Sequence, residues 1–379
     1  MASNGNGSTS YRPTKKTQLA QQQVSSHSKP QSHLTKTSRY DARDNKLHLN
    51  EIPIPTPGPN QLLVKIGCAS LCHSDVMLFE PNDAGLVFAD DPEPITIGHE
   101  GSGWVAGLGA NVTNFKEGDA VGFLPVSACW ECEKCRKAHN FWCVNGPKMN
   151  GFASPGFFQE YAVVDAHAAM VLPSGMDPRT AAPLFCAGVT SFHGVDDCEL
   201  KPGQWMAIIG TGGLGHLGVQ YAKAMGLKVI GLDISDAQLE TAKQSGADYV
   251  FNSMTDKDYV KKILELTDGG VDAAVNFTAS KKAYEDSPAI IKTGTGLLMF
   301  VGIPTQPVGL NALDVAMGRY RIKGSNNGTP NNLKPAIEFS AKHNITPHLT
   351  LFKLEELPKM IQIMHDNKTQ GRLGVQFVS

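Results

Sequence analysis

The chain has 379 residues, too many for one ordinary hydrophobic core and suited to about two domains. Lys plus Arg total 34 against 36 for Asp plus Glu, a net charge of −2, which argues against a binder driven by nucleic-acid phosphates. No apolar run approaches the roughly 18 residues that a membrane helix needs.

Residues 1–34 are rich in Ser, Gln, Thr and Lys and hold no Asp or Glu, so a disordered tail is expected there. No continuous apolar segment resembles an export signal, which points to the cytoplasm. The basic, acid-free start is also compatible with targeting to the mitochondrial matrix. From about Leu47 to Val171 short β-segments are broken by Pro and Gly, among them Leu62–Ile66, Gly103–Ala106 and Glu160–Val164. After Pro183 the texture changes to strands alternating with helices. Strands are expected at Met206–Ile209, Val229–Leu232, Tyr249–Phe251, Ala273–Phe277 and Leu297–Val301, with helices through Ala224 and over Asp236–Gln244. The chain closes with a helix over Leu354–His365 and a strand around Val375.

Gly210-Thr211-Gly212-Gly213-Leu214-Gly215 fits G-x-G-x-x-G between an apolar strand and an amphipathic helix. The first glycine allows the tight turn, the second lets backbone approach a pyrophosphate, and the third lets helix pack on strand. Asp233 ends the next strand, where a carboxylate accepts ribose hydroxyls and repels the extra phosphate of NADP. The expected cofactor is therefore NAD(H).

Cys129, Cys132, Cys135 and Cys143 form C-x2-C-x2-C-x7-C. Four thiols at this spacing suit a closed, structural zinc site. An iron–sulfur cluster is the competitor, but Val144 stands where such motifs commonly place proline. Cys72, His99 and Cys186 are three further donors, each uninformative alone. Cys68 and Cys198 read as small buried residues, and Asp196 and Asp197 as surface acids.

In order, Cys72-His73-Ser74-Asp75, Gly98-His99-Glu100-Gly101, the four-cysteine segment, Gly156–Tyr161, Cys186–Thr190, Gly212–Gly215 and Val219–Gly226 resemble the zinc-dependent alcohol dehydrogenases of the medium-chain dehydrogenase/reductase family, most closely the yeast-type branch. The resemblance runs from about Leu47 to the C-terminus. It implies an α/β chain with a GroES-like irregular β-rich catalytic domain (35–185 and 325–379) and a Rossmann doubly wound parallel sheet (186–324). It implies that Cys72, His99 and Cys186 bind a catalytic zinc, with Glu100 as an alternative ligand and Asp75 orienting the histidine. Cofactor contacts are implied for His73, Thr190, Leu214, Val301, Ile303 and Arg372, with His73 and Arg372 facing the pyrophosphate. The implied activity is hydride exchange between NAD(H) and an alcohol or aldehyde, Ser74 taking the alcohol proton. Homodimers or homotetramers are implied as well.

The sequence departs from that branch in places. Glu80 stands where a proton-relay histidine is expected, and Met77 replaces a second histidine. Leu124 and Asp83 stand where two tryptophans narrow the ethanol pocket, so a bulkier substrate is expected, with Asn82–Pro92 as a rim over the cleft. Gln238 follows Asp233 at a position where a cofactor contact is common in this branch, and weak NAD binding is expected from it. The Glu80 change motivates one alternative, a zinc reductase of activated C=C or C=N bonds. A non-enzymatic relative would have lost a zinc ligand, yet Cys72, His99 and Cys186 are all present.

Overall fold

The structure, a computed structural model, describes residues 34–41, 43–79, 93–137, 140–328 and 330–378. The tail over 1–33, Glu80, Asp83 and the expected rim at 82–92 lie outside the described residues. The β-rich part runs through β1 (Leu34–Asp41), β2 (Lys46–Pro53), β3 (Gln61–Leu71), α1 (His73–Val76), β4 (Ile95–Thr96), β5 (Glu100–Leu108), β6 (Ala120–Phe123), β7 (Val126–Ser127), α2 (Glu133–Arg136), β8 (Lys148–Met149), β9 (Tyr161–Asp165) and β10 (Ala169–Val171). It is followed by α3 (Ala187–Asp196), β11 (Trp205–Ile209), α4 (Gly215–Ala224), β12 (Lys228–Asp233), α5 (Asp236–Gln244), β13 (Tyr249–Asn252), α6 (Tyr259–Thr267), β14 (Ala273–Asn276), α7 (Lys281–Asp286), β15 (Leu297–Phe300), α8 (Ala312–Ala316) and β16 (Arg321–Gly324). The chain ends through α9 (Pro330–Lys342), β17 (Leu349–Phe352), α10 (Leu357–His365) and β18 (Arg372–Gln376).

The second half is a six-stranded sheet in the order β13-β12-β11-β14-β15-β16, every pair parallel. Its inner strands, β11, β12, β14 and β15, are largely apolar runs because both faces are covered there. Met206 and Ile208 face the core that contains α3, while Ala207 and Ile209 face another on the opposite side. The strand order turns at β11, the position where doubly wound sheets bind ligands beyond their carboxyl ends. The glycine turn follows β11 directly.

The first half is irregular. A seven-stranded sheet in the order β10-β6-β5-β3-β18-β17, with β9 also on β3, is its centre. The last strand, β18, pairs antiparallel with β3, so the C-terminus returns to the first half as expected. β1, β2 and β4 form a smaller sheet that the sequence did not advertise. Its hidden side chains include Thr35, Thr37 and Ser38 rather than aliphatics. Thr37 and Thr96 pair their hydroxyls at 2.6 Å, which offsets the cost of burying them.

Helix α3 lies where the halves meet, and every residue from Ala187 to Val195 is buried. Its core draws Leu124, Val126, Ala168 and Leu172 from the first half and Met206, Ile208, Val275 and Met299 from the parallel sheet. Among the described residues no helix is long and apolar enough to cross a membrane.

Candidate active site

Three separate elements deliver the candidate metal donors. Cys72 caps α1 at the end of β3, His99 immediately precedes β5, and Cys186 caps α3. Gly98 makes the approach to His99 possible. Its φ is +96°, and a Cβ there would stand 2.5 Å from the Phe158 ring. One ligand atom each from Cys72, His99, Glu100 and Cys186 lie within 4.8 Å of one another, and all four residues are buried.

Asp75 organises two of these donors. One carboxylate oxygen accepts the Cys72 N–H at 2.9 Å, and the other meets His99 Nδ1 at 2.8 Å. His99 therefore directs Nε2 at the sulfurs. Burial disfavours charge on this ring, but Asp75 and then Cys72 outweigh it and hold His99 well above the ordinary imidazole range. The Cys186 thiol donates to the Cys72 sulfur, which keeps Cys72 well below the usual thiol range and Cys186 well above it. Two thiol sulfurs held this close to one another suit a divalent cation between them. Two sulfurs and one imidazole match a zinc donor set.

Glu100 is fully buried behind these ligands. The Arg372 guanidinium donates to one of its oxygens, and the Ser70 hydroxyl donates to the other. Burial raises Glu100 and Arg372 pulls it back. Arg372 was expected at a pyrophosphate. The structure places it between two sites, because a Cβ on Gly213 would come within 2.9 Å of Arg372 Nη1.

The glycine turn has the form its motif requires. Gly210 has φ +82°, and a Cβ there would stand 2.5 Å from Thr278 Cγ2. A Cβ on Gly215 would strike the Gly210 carbonyl, so the third glycine is fixed by packing. Gly212 differs. Its Cβ would meet only Gln238, at 3.9 Å, so the room there is not filled by protein. Asp233 accepts the Thr211 N–H at 2.8 Å and the Ile234 N–H at 2.8 Å, at the lip of the turn. Gln238 Oε1, Thr369 Oγ1 and Arg372 Nε are buried without a partner among the described residues. Gln238 donates instead to the Thr369 carbonyl. Three orphaned polar atoms beside an open glycine turn fit a polar ligand such as a dinucleotide.

Other expected residues divide. Thr190 is buried on α3, one turn before Gly194, where a Cβ would meet Val301 at 3.1 Å. Leu214 caps α4. Ser74 is half-buried, while His73 and Ile303 are exposed. Cys68 and Cys198 are buried, as expected. Leu124 is buried in the core around α3. Trp142 is 76% exposed, and Trp205 packs on Tyr249 and Lys228, away from the metal donors. Phe152, which the sequence did not single out, packs on the His99 ring at 5.1 Å.

The four-cysteine segment forms a second donor set, with all four sulfurs within 4.8 Å. Cys129 is 3.9 Å from Cys135 and 3.5 Å from Cys143. Sulfurs placed tetrahedrally about zinc at about 2.3 Å stand roughly 3.8 Å apart. Backbone donors near Val144 and Cys135 lower Cys132 to about 6, whereas burial raises Cys135 to about 12.

Trp130, inside this segment, was not anticipated either. Its φ is +61°, which bulky residues rarely adopt. The indole N–H donates to Asp165 at 2.7 Å, and the ring stacks on His167 at 5.4 Å. This clamp ties the lobe to β9. The Trp130→Phe substitution keeps the ring and loses the donor. It should speed metal loss from the lobe to a chelator by about tenfold. A release rate equal to the parent's would show that the clamp does not hold the lobe.

Comparison with known proteins follows the same division of the chain. Residues 58–174 match the alcohol dehydrogenase GroES-like domain, and residues 213–342 match the zinc-binding dehydrogenase domain. An alcohol dehydrogenase of Rhizobium meliloti is 36% identical over 86% of this chain and 94% of its own. The solved alcohol dehydrogenase of Aeropyrum pernix has a TM-score of 0.82 at 27% identity, covering 90% of this chain and 99% of that one. An acetophenone reductase of Geotrichum candidum, solved with NAD, has a TM-score of 0.78 at 25% identity over 92% and 98%. Agreement of this extent in sequence, and in fold over nine-tenths of the chain, reflects common descent: the chain belongs to the zinc-binding alcohol dehydrogenase family.

Proposed function

We propose that this chain is a zinc- and NAD(H)-dependent dehydrogenase for alcohols and aldehydes bulkier than ethanol. Family membership makes it an oxidoreductase acting on alcohols. The observation that carries the reading is the meeting of Cys72, His99 and Cys186 beside a glycine turn, with Arg372 reaching between the two.

Cys72, His99 and Cys186 would hold the catalytic zinc, with Glu100 behind, and the four-cysteine lobe would hold the structural one. When bound, zinc supplies a Lewis acid at the substrate oxygen, and the nicotinamide accepts or donates hydride. The chain does the rest. Asp75 fixes the His99 ring so that Nε2 points at the site. Ser74 Oγ takes the proton that leaves the alcohol and passes it outward. Arg372 and the N-terminus of α4 offer positive charge to a pyrophosphate. Thr190 and Val301 flank the cleft, and Asp233 receives a ribose in preference to a 2′-phosphate. The bulkier substrate rests on the sequence, in which Leu124 and Asp83 stand where two tryptophans narrow the ethanol pocket; Leu124 itself is packed into the core around α3.

A homo-oligomer is part of this reading. All four residues of β16, one edge of the parallel sheet, are exposed, Ile322 among them, and Leu313 and Met317 also stand in solvent. Such an edge is ordinarily covered.

The test counts metal by mass spectrometry and measures NADH and NADPH oxidation with aldehydes from acetaldehyde to cinnamaldehyde and larger. Two zinc ions per chain, NADH preference and turnover rising with aldehyde size are expected. Two zinc ions with no carbonyl turnover would move the assignment to C=C or C=N reduction. Fewer than two in folded protein would undo the ligand assignment.

A further inference from the structure

We propose that His216 is a positioning residue for the dinucleotide, holding the glycine turn in register with the strand that carries Arg372. The proposal rests on reading Gly210–Gly215 as the cofactor turn.

His216 is the second residue of α4 and has no exposure to solvent. Both ring nitrogens are occupied. Nδ1 lies 3.0 Å from the Gly212 carbonyl, which can only accept, so Nδ1 carries the proton. Nε2 accepts the backbone N–H of His348 at 3.1 Å. One neutral imidazole thus joins the middle of the glycine turn to the chain entering β17. Burial pushes this ring down to about 3, which keeps it neutral over the physiological range.

The connection continues. The His348 carbonyl accepts the Arg372 N–H at 2.7 Å. The Arg372 guanidinium donates to Glu100, which also accepts the Ser70 hydroxyl. Hydrogen bonds, joined through the backbone of His348 and the side chain of Arg372, therefore link the Gly212 carbonyl to the carboxylate beside the candidate metal donors. One helical turn further on, Gln220 grips the same segment. Its Nε2 donates to the Thr346 carbonyl and its Oε1 accepts the Thr346 N–H, both at 3.0 Å. Through Gln220 and His216, α4 treats residues 346–348 as a neighbouring strand would.

This geometry bears on the cofactor because clearance at the turn is small. Arg372 Nη1 lies where a Cβ on Gly213 would be only 2.9 Å away. A guanidinium that close faces the phosphates correctly only if turn and strand keep a fixed register. His216 sets that register through Gly212 and His348, without touching cofactor or substrate.

The test is fluorescence titration of the zinc-loaded protein with NADH, or with NADPH if the parent prefers it. His216→Leu approximates the volume and removes both hydrogen bonds. It should weaken nucleotide binding about tenfold, with the loss in the cofactor KM rather than kcat. His216→Gln retains an acceptor for the His348 N–H and should stay within about threefold of the parent. His216→Asn keeps a donor on the Gly212 side but cannot reach His348, and should behave as the leucine variant does; it replaces that variant if leucine prevents folding. Equal losses for Gln and Asn, or for Gln and Leu, would reduce the role to packing and overturn the proposal. So would a leucine or asparagine variant binding within about twofold of the parent. A parent that binds neither nucleotide would instead overturn the reading of the glycine turn, and the proposal with it.

Discussion

The Cys186→Ala chain is expected to fold, to carry one metal ion fewer, and to oxidise alcohols at no more than about a thousandth of the parent rate. Two properties of the position support this outcome. Cys186 caps α3 between Phe185 and Ala187, both fully buried, so the backbone there is held by packing and not by the thiol. Removing one sulfur costs about 1 kcal/mol in such a setting. The chemistry depends on the same atom. Cys186 completes the donor set with Cys72 and His99, and in its absence those residues keep their hydrogen bonds to Asp75 but lose the third corner. Mass spectrometry of the intact protein and steady-state rates decide the matter. A variant that keeps its metal, or more than a tenth of its activity, would remove Cys186 from the ligand set. A parallel Cys135→Ser variant should behave differently, because a closed four-sulfur site contributes to folding itself. Its loss should appear as a lower melting temperature.

The largest effect on stability is expected at Arg372. Arg372 and Glu100 are an ion pair with almost no solvent contact, at 3% and 0% side-chain exposure. Arg372→Leu leaves a buried carboxylate without its counter-charge. Breaking such a pair from one side costs about 3–5 kcal/mol, or roughly 5–10 °C of melting temperature. The pH dependence identifies the cause. Burial already raises Glu100 in the parent, and loss of Arg372 removes the charge that opposes this. An acid whose folded pKa is raised favours the fold below its unfolded pKa and loses that contribution as pH rises through the folded value. The deficit against the parent should therefore be small near pH 4.5 and full by pH 8. Adding Glu100→Gln should recover most of it. A deficit that is constant with pH, or not relieved by the second substitution, would mean that Arg372 stabilises by packing alone.

Legibility of this chain in its sequence follows from how each element is buried. Five of the six parallel strands and α5 were readable because their apolar runs are continuous or periodic, and α5 spans Asp236–Gln244 as expected; β16 was not, because its four residues, Arg321–Gly324, are exposed and two of them charged. Helix α3 was not. Ala187–Val195 is buried all round, so no polar face marks its period. The β1–β2 hairpin was missed for the opposite reason, since threonine and serine fill buried positions that aliphatics usually hold. The four-cysteine lobe was legible by spacing alone. The other candidate metal donors were not, because Cys72, His99 and Cys186 come from three elements that only the tertiary fold brings together. The sequence also assigned Glu100 and Arg372 to different sites, whereas the structure joins them. Trp130, His216 and Gln238 act through single hydrogen bonds to distant residues, and no local pattern announces such bonds.

The core around α3 has a further consequence for how the two halves can be recombined. Leu124, Val126, Ala168 and Leu172 pack into the same cluster as Met206, Ile208, Val275 and Met299. The halves are thus not interchangeable modules. A chimera joined at the motif boundary near residue 186 would set one parent's α3 against the other parent's β6–β10 side chains. Transplanting a nucleotide specificity into this scaffold accordingly requires that α3, its first-half neighbours and the sheet side chains it packs on be matched together, wherever the junction is placed.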